Sequence, residues 1–85
     1  MPKITKNDIK TISTQPRVGE QVIIDDWHTL LRLEDHKWIH SFEGFDEGEW
    51  IAPLTSRGQE IINQYEQHDS KEIKDVDEFL NPITA

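Results

Sequence analysis

Among the first seventeen residues the only large apolar side chains are Ile4, Ile9 and Ile12, and the step from Ile9 to Ile12 predicts one short amphipathic helix that begins after Thr5 and stops at Pro16. The next apolar run has two readings. Val18, Val22, Ile23 and Ile24 are β-branched and could make a strand over Arg17 to Ile24. Read further, Ile23, Ile24, Trp27, Leu30, Leu31 and Trp38 follow one another at three- and four-residue steps among good helix formers, which favours a helix over about 20 to 36. The competing pattern is a meander with strands near 20 to 25, 27 to 34 and 37 to 43, turning at Asp35-His36 with Glu34 opposite Lys37.

Trp38 to Phe42 then reads as a strand, Gly44 to Gly48 as a loop with glycine at both ends, and Glu49 to Ala52 as the returning strand of a hairpin. Ser56 with Gln59 three residues later has the form of a capping box, and Ile61, Ile62 and Tyr65 make one apolar face of the helix it would open. His68 to Lys71 break the pattern. A last segment with Ile73, Val76, Phe79 and Leu80 has helical spacing and should stop at Asn81-Pro82. The expectation is a small single α+β domain of two or three helices and one antiparallel β-hairpin. Residues 1–17 form a basic N-terminal segment, 18–67 the folded core and 68–85 an acidic C-terminal segment. The expected core is Trp27, Leu30, Leu31, Ile51, Ile61, Ile62 and Tyr65, with Trp38 facing Trp50 across the hairpin.

Charge changes this picture most. The 85 residues hold 17 acidic and 9 basic side chains. Lys3, Lys6, Lys10 and Arg17 precede residue 18 with only Asp8 to oppose them, so the remaining sixteen acids face five bases. Such a surface repels phosphate backbones and steers basic proteins toward it within a Debye length of roughly 8 Å at physiological salt. Three Trp, three Phe and one Tyr are enough large anchors for a chain that is 34% hydrophobic to fold. There is no cysteine, hence no disulfide, thiolate metal site or cysteine nucleophile. The longest aliphatic run, Val22-Ile23-Ile24, is far below the ~20 residues of a membrane span, and no apolar stretch of the signal-peptide kind stands at the N-terminus. The expected compartment is the cytoplasm.

Residues 30 to 65 resemble the second half of a winged-helix domain. A helix ends in Leu30-Leu31-Arg32-Leu33-Glu34, a strand opens at Trp38-Ile39, a glycine-tipped wing and a second strand follow, and Leu54-Thr55-Ser56-Arg57-Gly58 launches a helix. The resemblance implies a winged-helix-like fold and, for a typical member, DNA binding. Two features depart from it: too few residues precede the helix for a full helix-turn-helix, and the presumed recognition helix and wing are acidic where phosphate contacts call for Lys or Arg. In size, acidity and lack of catalytic residues the chain is also similar to small phage proteins that inhibit host defence nucleases by imitating nucleic acid.

No catalytic constellation stands out. His36 and His40, four apart with Asp35 and Glu43 nearby, could share a zinc ion on one helix, but no third ligand has a persuasive spacing and a strand opening at Trp38 would separate them. They read as solvated surface histidines. Paired-acid catalysis needs a carboxyl desolvated in a cleft, which so small a chain has little interior to build. Ser41, Ser56 and Ser70 lie in no nucleophile elbow, and Gly19, Gly44, Gly48 and Gly58 form no phosphate-cradling loop. No enzyme, cofactor or metal is therefore expected. Phe45, at the tip of the hairpin, either folds back over it or stands out as a contact residue. Around it Glu43, Asp46, Glu47 and Glu49 are either a solvating loop or a set of carboxylates projecting into a basic groove. The function expected from this is a non-enzymatic acidic binding protein of the anti-defence or anti-CRISPR type. It would act through Glu43, Phe45, Asp46, Glu47 and Glu49 on a basic, nucleic-acid-handling partner, without binding nucleic acid itself. The alternatives are a winged-helix transcription regulator that uses residues 1–17 on DNA and an accessory subunit that assembles through exposed aromatics.

Overall fold

Thr5 opens the first helix in the computed structural model, which describes residues 2 to 68 and 72 to 81. Its hydroxyl accepts from the Asp8 amide at 3.1 Å while the Asp8 carboxylate accepts from the Thr5 amide at 3.0 Å, so two backbone donors that a helix start leaves unpaired are satisfied reciprocally. Helix α1 (Lys6–Thr14) ends as its spacing predicts, with Gln15 extended ahead of Pro16 because the proline ring disfavours a helical residue before it.

The helix expected over 20 to 36 does not form as one element, and neither does the meander. Strands β1 (Arg17–Val18) and β2 (Gln21–Ile24) make a tight hairpin around Gly19-Glu20, and helix α2 (Trp27–Asp35) starts only after Asp26. The Asp26 carboxylate accepts from the His28 amide at 3.1 Å, a local bond that favours a helix start over a helix interior. The three-and-four spacing from Ile23 to Leu31 is thus a strand and a helix laid end to end, with Asp25 and Asp26 filling the junction.

Helix α2 closes on a Schellman motif. The Trp38 amide reaches the Leu33 carbonyl at 2.9 Å and the Lys37 amide reaches that of Glu34 at 3.0 Å, with Lys37 at φ +62°. This capping takes Trp38 out of the strand expected over 38 to 42: only Ile39 makes a bridge there, to Leu54, before the short strand β3 (Glu43–Gly44) pairs with β4 (Trp50–Pro53). The hairpin itself forms as expected. Its register sets Gly44, not Trp38, opposite Trp50, so the predicted Trp38–Trp50 pair does not exist. The antiparallel sheet runs in the order β1-β2-β4-β3. Helix α3 (Ser56–Glu66) is capped by Thr55, one residue earlier than the expected Ser56, and the short α4 (Val76–Leu80) is capped by Asp75. Ser70 and Pro82 lie outside the described residues.

The helices cover one face of the sheet. Val22, Ile24 and Ala52, which the strand alternation places on that face, have no accessible surface, and neither have Ile9, Ile12, Leu30, Leu33, Ile61 and Ile62. The core reaches beyond residues 18–67, drawing Ile4, Ile9 and Ile12 from the N-terminal side and Ile73 and Phe79 from the C-terminal side. Leu30, Ile51, Ile61, Ile62 and Tyr65 are buried as expected, whereas Trp27 is 43% and Leu31 38% exposed. The stripe that α2 buries is Thr29, Leu30 and Leu33, which leaves Trp27 at its margin and Leu31 on the far side. Gly58 lets α3 approach the chain leaving α2: a Cβ there would lie 2.1 Å from the Trp38 carbonyl oxygen.

Among the described residues one charged group is fully enclosed. Asp8 has no accessible surface and accepts from Arg32 twice, from Nε to Oδ2 at 2.6 Å and from Nη2 to Oδ1 at 2.9 Å, which ties α1 to α2 in bidentate geometry. The Thr29 hydroxyl lies between Asp8 Oδ1 (3.2 Å) and Asp26 Oδ2 (3.1 Å), and its single proton serves one carboxylate at a time. Burial by itself would raise the Asp8 pKa. The Arg32 hydrogen bonds, the Thr5 amide, the Arg32 charge and Thr29 outweigh it and hold the carboxyl below its ordinary 3.8. Arg32 is correspondingly held above its ordinary range, chiefly by its hydrogen bonds to Asp8.

Two predictions follow from the packing. Ile62→Ala should cost about 2–5 kcal/mol, as buried large-to-small changes do, whereas Leu31→Ala should cost less than about 0.5 kcal/mol, as surface changes do. Urea denaturation of both variants checks the pair. Asp8→Asn should cost about 3 kcal/mol at neutral pH, near the low end for a broken buried ion pair because Arg32 keeps some access to water. Since the Asp8 pKa is lower folded than unfolded, its contribution is present above about pH 4 and is lost as pH falls through the folded value. The stability gap between parent and Asp8→Asn should therefore narrow on acidification, and a gap unchanged down to pH ~2 contradicts the assignment.

Candidate partner-docking site

The turn between β3 and β4 is held by its own backbone. The Phe45 amide donates to the Glu49 carbonyl at 3.1 Å, the Glu49 amide to the Asp46 carbonyl at 2.9 Å, and the Glu47 amide to Asp46 Oδ1 at 2.8 Å. Gly48, at φ +74°, takes the third position of the turn from Asp46 to Glu49, where a positive φ is required and a side chain is strained. The tip is therefore a defined turn rather than a loose loop.

Strand alternation sorts the side chains. Gly44 and Trp50 share the side of the ladder that faces the helices, and Glu43 with Ile51 points the other way. Phe45 and Glu49 continue the ladder on the side of Glu43, while Asp46 and Glu47 cap its end. Phe45 is 54% exposed, so of its two sequence readings the outward one is realised. Glu43, Asp46 and Glu47 are exposed and Glu49 is half-buried. Among the described residues the ion pairs are Arg17–Glu66, Arg32–Asp8 and Arg57–Glu60, so none engages these four carboxylates. All five residues singled out from the sequence are thus brought together on one short hairpin. Their negative field and the Phe45 ring can meet a partner's surface with little reordering.

The helix-facing side of the same hairpin carries an aromatic cluster of Trp27, Phe42 and Trp50, of which the core expected from the sequence includes Trp27 and Trp50. Trp27 packs edge-on to Phe42, with ring centroids 5.6 Å apart, and tilted against Trp50 at 5.2 Å, yet it keeps much of its surface in solvent, as does Leu31 one turn further along α2. The signal that could have found this is Asp26: once it is taken as the cap, the buried stripe of α2 runs through Thr29, Leu30 and Leu33 and excludes both residues.

The remaining candidates are dispersed. His36 lies half-buried with Nε2 2.6 Å from the Pro2 carbonyl oxygen, whereas His40 is exposed in the segment before β3, so they share no helical face. Among the described residues no three His, Asp or Glu side chains gather closely enough to hold a metal ion, and no helix is long and apolar enough to cross a membrane. Ser41 and Ser56 are exposed. Near the C-terminus the Asp75 carboxylate is occupied in capping α4, accepting from the Glu78 amide at 3.1 Å. Comparison of the chain with protein-family models, with curated proteins and with solved structures gives no match.

Gly48→Ala tests whether the tip is built as described. It should destabilise the protein by about 1 kcal/mol, since alanine at positive φ is strained, whereas Gly44→Ala, at an ordinary φ with open space around it, should cost less. Thermal melts of the two variants distinguish them.

Proposed function

We propose that this chain is a non-enzymatic acidic binding protein that inhibits or modulates a basic, nucleic-acid-handling partner through its β3–β4 hairpin. The observation that carries the reading is Phe45, standing in solvent on a hydrogen-bonded turn among Glu43, Asp46, Glu47 and Glu49. Charge at the rim speeds encounter and an apolar anchor prolongs residence, the division of labour found in tight interfaces. Carboxylates held at fixed spacing on a small scaffold can occupy the positions of phosphates, so the partner's nucleic-acid site is the natural target. Direct binding to a duplex is disfavoured: the solvent side of α2 carries Glu34 and Asp35 and the hairpin is acidic, so the surfaces a winged-helix reader would set against DNA repel it.

The test starts from a partner captured on the immobilised protein and identified by mass spectrometry. It should be basic, and its nucleic acid should compete with this chain for it. Replacing Asp46, Glu47 and Glu49 by their amides should slow association and flatten its salt dependence, while Phe45→Ala should mainly speed dissociation, both with the fold intact. Unchanged kinetics in both variants, together with loss of binding when Glu72, Asp77 and Glu78 are replaced by their amides, moves the contact to the C-terminal acids; the amides are used because Ile73 and Phe79 belong to the core and removing the segment would disturb the fold. Binding of a random duplex at the ~10⁻⁴–10⁻⁶ M typical of non-specific DNA binders overturns the reading in favour of a DNA-binding regulator.

A further inference from the structure

The exposed side of α2 is a feature that the hairpin does not account for. A nine-residue helix that packs one stripe on a sheet is expected to turn polar side chains to water. This one turns out Trp27 and Leu31, four residues apart and hence stacked on one face, followed on the next turn by Glu34 and Asp35 and preceded by Asp25. Trp27 is not a loose surface ring: Phe42 and Trp50 brace it, so its orientation is set before any partner arrives and little side-chain entropy is left to lose. Arg32, the one Lys or Arg of the helix, is turned inward and spent on Asp8. The face is therefore apolar and braced, and its border is mainly negative, with Asp25, Glu34 and Asp35 outnumbering the exposed His28 and Lys37.

Two occupants can be weighed by charge. A second copy would bring Asp25, Glu34 and Asp35 against the same residues, between chains that each carry a net −8. A basic protein meets no such opposition. Arginine suits the face better than lysine, because a weakly hydrated planar guanidinium stacks on an indole and also pairs with carboxylates, whereas an ammonium holds its water. We propose that the Trp27–Leu31 face of α2 is a second docking surface, which takes an arginine-bearing apolar segment of a basic protein. This rests on the reading of the chain as an acidic binding protein and adds the chemistry of what it binds, at a place distinct from the hairpin tip.

The probes are two short peptides, one repeating Arg-Gly-Leu and the other Lys-Gly-Leu, titrated into the isotope-labelled intact protein at low salt. The arginine peptide should bind about two- to fivefold tighter, the range a cation–π contact at an exposed site supports, and should shift the Trp27 indole N–H resonance. Trp27→Ala should abolish that preference. Leu31→Ser, at an exposed position the fold tolerates, should weaken both peptides and covers the case in which Trp27→Ala disturbs packing. The triple amide variant of Asp46, Glu47 and Glu49 should keep the arginine preference. Equal binding of both peptides, unaffected by Trp27→Ala and Leu31→Ser but reduced by the triple amide variant, overturns this proposal and leaves the hairpin reading standing. Absence of binding by either peptide overturns both. A concentration-dependent dimer in sedimentation that Trp27→Ala dissolves overturns it in favour of a second copy.

Discussion

The bidentate contact between Asp8 and Arg32 is the constraint on which the arrangement of the helices depends. Asp8 belongs to two structures at once: it completes the capping box that starts α1, and it is the enclosed anion that anchors a side chain of α2. A buried carboxylate is tolerable only when every oxygen is served, and here Arg32, the Thr5 amide and the Thr29 hydroxyl share that task. The geometry leaves little freedom. If α1 rotates, the cap travels with it but the ion pair to α2 is broken, and Ile9 and Ile12 leave the core. For a chain this short, whose core takes only a few residues from each of its elements, a polar contact that admits one arrangement specifies the fold in a way that interchangeable isoleucines cannot.

The same contact shapes the surface. By drawing Arg32 inward it removes the positive charge that α2 could have shown to solvent, and its acids are left to define the helix's outer field. The mixture of acids and bases along the chain thus becomes a segregated pattern in space. Lys6 and Lys10 stay exposed on α1, which packs on α3, while the carboxylates of the β3–β4 turn stay free of ion pairs among the described residues. Repulsion among so many acids opposes compaction, and the fold answers by placing most of them on turns and helix ends, where water screens them. Asp26 and Asp75 do structural work there by accepting helix-start amides.

Both proposed surfaces share a physical design. Each sets apolar area on a backbone or a ring cluster that is already ordered, and each borders it with negative charge. The turn from Asp46 to Glu49 fixes Phe45 and the aromatic stack fixes Trp27, so neither must be organised when a partner arrives. They lie on opposite sides of the β3–β4 ladder, which suits a small wedge gripped from two directions better than a flat face pressed on another.

What the sequence by itself determined were the features with a local cause: α1 between Thr5 and Pro16, the glycine-containing β3–β4 hairpin, the helix carrying Ile61, Ile62 and Tyr65, the mixed α+β class, and the clustering of carboxylates around Phe45. Each follows from turn chemistry, a cap or a period within a dozen residues. What only the tertiary structure decided were the matters that spacing leaves degenerate. Ile23, Ile24, Trp27, Leu30 and Leu31 fit a helical period whether or not a strand ends at Ile24. The choice was made by β4, whose backbone pairs with residues 21 to 24 and satisfies donors that a helix would have satisfied internally. Once the helix begins at Trp27, the sheet selects Thr29, Leu30 and Leu33 as its buried stripe, and Trp27 and Leu31 are left outside. The partnership of Asp8 with Arg32, twenty-four residues apart, leaves no periodic trace, because an ion pair between elements depends on where their axes cross and not on any spacing along the chain.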